Sequence, residues 1–155
     1  RTTITYKLGE VMIKIEASNQ KDLQEKIWSS LVASNKQKCQ WFQKNPISEA
    51  NEAKNFYAFE DGKLIGGAVG YILYEWYFLE LLWVDDAYRL QKVGTSLMKQ
   101  VEDYVKETKL IGIRLETWDF QAKGFYEKLG YNMYASIEDC PPGTINYFFK
   151  KRYQV

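Results

Sequence analysis

The richest concentration of chemically useful groups is Arg89-Leu90-Gln91-Lys92-Val93-Gly94-Thr95-Ser96. It follows an apolar run, Phe78–Val84, broken only by Glu80, which suits a strand buried on both faces. It opens a segment where Val93, Leu97, Val101 and Val105 recur at helical spacing, with Met98 and Tyr104 beside them. The first turn of a helix carries unpaired backbone N–H groups and a partial positive charge, and so attracts phosphate. Arg89 and Lys92 add two full charges, and Gly94 lets a ligand approach the backbone closely. Strand, basic glycine-containing turn and helix therefore read as a diphosphate cradle. The competing reading is a plain strand–helix unit with a solvated turn.

Glu80 is the second chemical candidate. A carboxyl in mid-strand among Phe78, Leu79, Leu81 and Leu82 is expected to be buried. Burial favours the neutral form and would move its pKa towards neutrality, where a general base works. A carboxylate bonded to nearby groups as a brace is the equal alternative. The chain has no histidine at all. Histidine triads, histidine metal ligands and a histidine base are thereby excluded, and acid–base chemistry falls to carboxylates, Tyr, Lys, Cys or water. No metal site is expected.

Around these groups the chain reads as alternating strands and helices. Thr2–Lys7 and Val11–Glu16 are short strands about Leu8-Gly9-Glu10. A helix over 20–35, capped by Ser18 or Asn19, carries Leu23, Ile27 and Leu31 on one face with Trp28 adjacent. A short helix over 39–44 ends at Asn45-Pro46, and 47–54 reads as a loop or a turn of helix. Strands over 55–60 and 64–73 flank Asp61-Gly62, a strong hairpin signal, and Gly66-Gly67 suggests a bulge or a close backbone approach. After the helix at 93–105 come a strand over 110–117, a helix over 120–129 capped by Asp119 and ended by Gly130, and strands over 131–137 and 144–151. The order β-α-β-β-β-α-β-α-β-β is an α/β fold with a mixed central sheet of about six or seven strands flanked by helices, and strand–helix–strand 78–117 forms a parallel pair.

The 155 residues fit a single domain, and 46% hydrophobic content is enough for a core. A net charge of +1 with interspersed signs argues against a nucleic-acid partner. No apolar run nears the roughly 20 residues of a membrane span, so no membrane association is expected. Cys39 and Cys140 form no disulfide framework, which points to a reducing, cytoplasmic location.

Two stretches carry a family resemblance. Arg89-x-x-Lys92-x-Gly94 resembles the Arg/Gln-x-x-Gly-x-Gly/Ala motif of the GNAT acetyltransferase superfamily, with Lys92 in place of a glycine. Leu79-Glu80-Leu81-Leu82-Trp83-Val84 resembles the Leu-Glu-Asp-Leu-Tyr-Val strand of its spermidine/spermine-type members. Leu81 replaces their Asp, which argues against a polycation substrate. Asp119-x-x-Ala122-x-x-x-Tyr126-x-x-x-Gly130-Tyr131 resembles the second signature, Asn-x-x-Ala-x-x-x-Tyr-x-x-x-Gly-Phe, with Asp119 in place of Asn. The element order is similar to the GNAT fold of acyl-CoA N-acyltransferases over most of the chain.

The resemblance implies acetyl-CoA as co-substrate. It implies that Trp83 and Val84 hold the donor arm as an added strand would. Arg89, Gln91, Lys92, Val93, Gly94, Thr95 and Ser96 would hold the pyrophosphate, with Asp119, Ala122 and Phe125 completing the donor site. It makes Tyr126 the acid that protonates the departing sulfur, against the plainer reading of a packed core tyrosine. It matches Glu80 to a glutamate that acts through water in some members. The acceptor would enter near Trp28, Trp41, Tyr74, Trp76, Phe120 and Tyr147, aromatics able to desolvate an amine. A small-molecule amine is the expected acceptor; a protein or peptide amine, or a CoA-binding module without turnover, are the alternatives. A homodimer is a family-level expectation.

Overall fold

The computed structural model describes residues 3–45 and 51–154. Pro46 and the first part of the expected loop at 47–54 lie outside the described residues. The chain divides into two compact units, Arg1–Ser48 and Glu49–Val155.

In the first unit, β1 (Thr3–Leu8) and β2 (Val11–Glu16) pair antiparallel. The connecting turn holds Gly9 at φ 61°. Helix α1 spans Lys21–Lys38, longer than expected, because Lys36-Gln37-Lys38 are good helix formers and nothing breaks the run before Cys39. Its cap is Gln20, not Ser18 or Asn19, and makes no side-chain capping bond; the Ser18 hydroxyl accepts from the Gln20 N–H at 3.3 Å, a turn that precedes the helix. Helix α2 follows as Gln40–Lys44. The apolar row Leu23, Ile27, Leu31 is exposed.

The second unit is a seven-stranded sheet with two helices. Its strands are β3 (Asn51–Glu52), β4 (Phe56–Glu60), β5 (Lys63–Leu73), β6 (Trp76–Val84), β7 (Gly112–Trp118), β8 (Asn132–Glu138) and β9 (Ile145–Arg152). The spatial order is β3-β5-β6-β7-β9-β8, with β4 also paired to β5. Among the described residues only β6 and β7 run parallel, joined through helix α3 (Val93–Glu107), as the strand–helix–strand reading requires. Asp61 and Gly62 both take positive φ, the geometry of a tight hairpin turn. Close backbone approach also occurs where expected: a Cβ on Gly66 would lie 3.0 Å from the Trp83 carbonyl oxygen.

The core lies on one face of this sheet. Val101, Val105, Met98 and Leu97 of α3 pack with Tyr77, Leu79, Ile113, Leu115 and Phe149 of the strands. Helix α4 (Lys123–Lys128) adds Tyr126, and the chain then turns at Gly130 and buries Tyr131.

Two expectations need correction. β6 is not buried on both faces: Tyr77 and Leu79 face the core, but Leu81 and Trp83 are 59% and 51% exposed. Continuous apolar runs do not distinguish the two cases. The second is the start of α4, which begins three residues later than expected and is capped by Ala122, not Asp119. The Gln121 side chain causes this. Its Oε1 accepts from the Trp118 N–H at 3.4 Å and the Thr117 hydroxyl at 3.3 Å, while the backbone N–H of Gln121 donates to the Trp118 carbonyl. These local bonds stabilise a turn over 119–122 that competes with helix.

Candidate active site

The parallel pairing of β6 with β7 runs from Trp76–Gly112 to Leu79–Leu115 and stops. Beyond it the strands form a fork. Glu80 is the next residue on β6 and Glu116 the next on β7. The cause is local: opposite Val69-Gly70 of β5 the register skips, so that Leu81 pairs Val69, Leu79 pairs Gly70, and Glu80 is the bulged extra residue. A bulge bends its strand and increases its twist, which turns the end of β6 away from β7. From Glu80 to Val84, β6 pairs with β5 alone and leaves its other backbone edge open. Unpaired strand N–H and C=O groups are a template for an extended ligand.

Glu80 stands at the fork but is exposed. The burial on which its expected activation rested is absent, because strand alternation puts it on the face opposite Tyr77 and Leu79, which point into the core.

The end of β6 runs into a 3₁₀ turn, Asp86–Tyr88, and then into α3. Asp85 fastens this joint. Its N–H donates to the Ile65 carbonyl at 2.8 Å, its Oδ1 accepts from the Ala87 N–H at 3.0 Å, and Lys63 lies 3.6 Å from its carboxylate. Tyr88 donates to Glu60 at the tip of the β4–β5 hairpin, a bond that raises the phenol's pKa. The Gln91 side chain donates back to the Ala87 carbonyl at 3.3 Å.

Leu90 and Lys92 take the left-handed conformation, at φ 64° and 63°. Lys92 is thus made to adopt the conformation that glycine adopts freely, which answers how the loop turns without the expected glycine. Lys92 is also the N-cap of α3 and makes no side-chain capping bond. The first intrahelical bond runs from the Ser96 N–H to the Lys92 carbonyl at 2.9 Å, so Val93, Gly94 and Thr95 are the first-turn donors. A Cβ on Gly94 would meet Phe125 and Val84 at 3.5–3.7 Å, ordinary contact distance. Arg89 pairs with Asp86 at 2.8 Å, with both side chains largely exposed.

Phe125 links this turn to α4: its ring lies beside Gly94 and makes an edge contact with Tyr126 at 5.2 Å. The Tyr126 ring is buried against Tyr131 and Phe149. Burial alone raises its pKa, with no hydrogen bond contributing. Burial therefore favours the protonated phenol.

The aromatics named from the sequence separate. Tyr74 and Trp76 lie at the closed end of β6, away from the fork, where Trp76 is opposite Gly112. Trp28 and Trp41 belong to the first unit. Tyr147, paired with Thr117, and Phe120, stacked on Trp118, lie on the fork side of the sheet. Not singled out from the sequence are Glu116 and Asn146, which meet beside the fork: Asn146 donates from Nδ2 to Glu116 Oε2 at 3.2 Å. The signal was present, since Glu116 interrupts an apolar strand just as Glu80 does. Among the described residues no cluster of His, Cys, Asp and Glu could hold a metal ion, and no helix is long and apolar enough to cross a membrane.

Comparison with known proteins gives the same reading. The acetyltransferase (GNAT) family model matches residues 20–131. Blasticidin-S acetyltransferase from Streptomyces morookaense is 38% identical over 112 residues, covering 70% of this chain and 82% of that protein. An acetyltransferase from Bacillus cereus superposes with a TM-score of 0.69 at 28% identity, over 90% of this chain and 96% of the other. The PaiA N-acetyltransferase of Thermoplasma acidophilum, crystallised with coenzyme A, shares the fold at a TM-score of 0.56 and 24% identity, over 64% and 60% of the two chains. The forked sheet, the uncapped helix beside it and a family match that runs through both make this chain a member of the GNAT family, an acetyltransferase that takes its acyl group from acetyl-CoA.

Proposed function

We propose that the protein transfers the acetyl group of acetyl-CoA to a primary amine of a small molecule, by direct attack in a ternary complex. The observation that carries this is the continuity of the open β6 edge, Glu80 to Val84, with the uncapped first turn of α3. A thioester with an amide-bearing arm and a diphosphate tail fits both: the arm along Trp83 and Val84, the phosphates on the N–H groups of Val93, Gly94 and Thr95. Arg89 and Lys92 supply charge, Gln91 and Ser96 flank the loop, and Ala122 and Phe125 wall the far side, with Asp119 in the turn before them.

The neutral amine nitrogen attacks the thioester carbonyl at the fork. The C–N bond forms, the C–S bond breaks, and the surplus amine proton leaves to Glu80 through water. Tyr126 hydrogen-bonds the departing sulfur and gives it the phenolic proton, so coenzyme A leaves as the thiol, and the proton held by Glu80 returns through water to the phenolate. Because burial makes the phenol a weaker acid, its main contribution is stabilising the thiolate as charge develops.

The small-molecule acceptor is favoured by the relative that is 38% identical over 112 residues, whose name specifies blasticidin S. The family match crosses the boundary between the two compact units, which supports reading the whole chain as one working domain. Thiol release from acetyl-CoA with blasticidin S and a panel of small amines tests the proposal. Amine-dependent release with an acetylated small product is expected; release only with peptide N-termini would replace the acceptor class. A pH–rate profile of Glu80→Gln tests the base: loss of the acidic limb supports it, and an unchanged profile leaves Glu80 structural.

A further inference from the structure

We propose that Lys151, paired with Glu102, is a positioning residue for Tyr126: it clamps the C-terminal end of α4 to α3 and so fixes where the phenol stands. This rests on the role given to Tyr126 above and adds the groups that hold that side chain in place.

Helix α4 cannot hold itself. It has six residues, Lys123–Lys128, and its N-cap Ala122 makes no side-chain capping bond. A helix this short is marginal alone, so its placement comes from what it touches. At its C-terminal end the Tyr131 N–H donates to the Tyr126 carbonyl and the Gly130 N–H to the Glu127 carbonyl, both at 3.0 Å, with Gly130 at φ 86°. These are the two bonds of a Schellman ending, and Tyr126 is the residue that closes it. The Leu129 carbonyl falls outside that pair and accepts from the Lys151 ammonium at 2.7 Å.

The same ammonium reaches α3. It donates to both carboxylate oxygens of Glu102, at 3.1 and 3.2 Å. Its three N–H groups thus meet three acceptors. The Lys151 and Glu102 side chains are 26% and 14% exposed, so solvent screens the pair little. Glu102 also accepts from the Tyr131 hydroxyl at 3.2 Å, and the Lys151 Nζ lies 5.5 Å from the centre of the Tyr131 ring. That ring makes an edge contact with Tyr126 at 5.8 Å. Lys151 therefore acts on Tyr126 by two routes, through the backbone turn at 129–131 and through the Tyr131 ring.

Packing alone does not call for a charge here. Lys151 stands opposite the buried Ile113 and two residues beyond the buried Phe149, on the core face of β9. Replacing a partly buried ion pair by apolar side chains is often neutral for stability. What an apolar side chain could not supply is a fixed junction of α3, α4 and β9.

Lys151→Met keeps the length of the side chain and removes its donors. Hydrogen exchange followed by NMR on the full chain reads the clamp: the Gly130 and Tyr131 N–H groups are expected to exchange about tenfold faster, with those of Val101 and Val105 in α3 unchanged. Steady-state kinetics read the consequence: kcat should fall about tenfold at an unchanged KM for acetyl-CoA, but by less than about twofold in a Tyr126→Phe background. Unchanged exchange, or the same acceleration throughout α3 and the α4 turn, overturns the clamp. An equal fall of kcat in both backgrounds overturns action through Tyr126. Wild-type turnover of Tyr126→Phe alone would defeat the acid reading instead, and exchange would then decide the clamp by itself. Should the orphaned Glu102 carboxylate keep Lys151→Met from folding, the double variant Glu102→Gln with Lys151→Met leaves no unpaired charge and carries the same expectations.

Discussion

The two halves of β6 differ more than two separate strands might. Trp76–Leu79 is paired on both edges and buries Tyr77 and Leu79 completely or nearly so. Glu80–Val84 is paired on one edge and shows Leu81 and Trp83 to solvent. One bulged residue separates a half that holds the fold from a half that presents a backbone edge. The lesson is that a stable sheet can carry an open site if the opening is made by twist and register, without deleting core residues.

Mutations can break this comparison. Leu79→Ala should destabilise the protein by about 2–5 kcal/mol, whereas Leu81→Ala, two residues on, should stay within about 0.5 kcal/mol. Urea midpoints check both, and similar losses would mean that Leu81 is also held in packing. Tyr126→Phe should lower kcat by about a hundredfold while leaving coenzyme A affinity intact, because it removes one donor to the leaving sulfur. Steady-state kinetics beside calorimetric binding separate the two effects, and wild-type turnover would return Tyr126 to packing alone.

Gly94→Ala should fold normally, since the added methyl meets Phe125 and Val84 at ordinary contact distances. It should nonetheless weaken acetyl-CoA about tenfold, because the methyl stands where phosphate approaches the helix. An unchanged KM with an unchanged melting temperature would move the phosphates off this turn.

The smallest effect concerns pH. Tyr77 of the closed half is pushed up to about 12, chiefly by burial. Its folded pKa exceeds its unfolded value near 10, so its contribution is complete below about pH 10 and lost as pH rises towards 12. Stability should therefore fall over that window, and Tyr77→Phe should flatten the fall.

Much of this was legible from sequence. The period of Val93, Leu97, Val101 and Val105 gave α3, and Asp61-Gly62 gave the hairpin, because each signal is local. The basic turn before α3 was legible for the same reason. What escaped were features decided by partner strands. The bulge at Glu80 depends on the register of β5, and the half-exposure of a run that reads as buried on both faces depends on which face of the sheet is covered. Lys92 in a left-handed turn contradicts a local preference, and the stretch leading into it is fastened by the bonds of Asp85 and Gln91 to Ala87. Asn146 and Glu116 are 30 residues apart in the chain, and only β7–β9 pairing brings them together.

The central claim is that the first turn of α3 grips a diphosphate. Parallel calorimetric titrations with coenzyme A and with pantetheine, which has the same thiol arm but no diphosphate, test it most directly. Several charge-assisted bonds worth about 1.5–3 kcal/mol each predict that coenzyme A binds at least a hundredfold more tightly, with an affinity that falls as salt rises. Equal affinities, or no saturable binding of coenzyme A, would contradict the account.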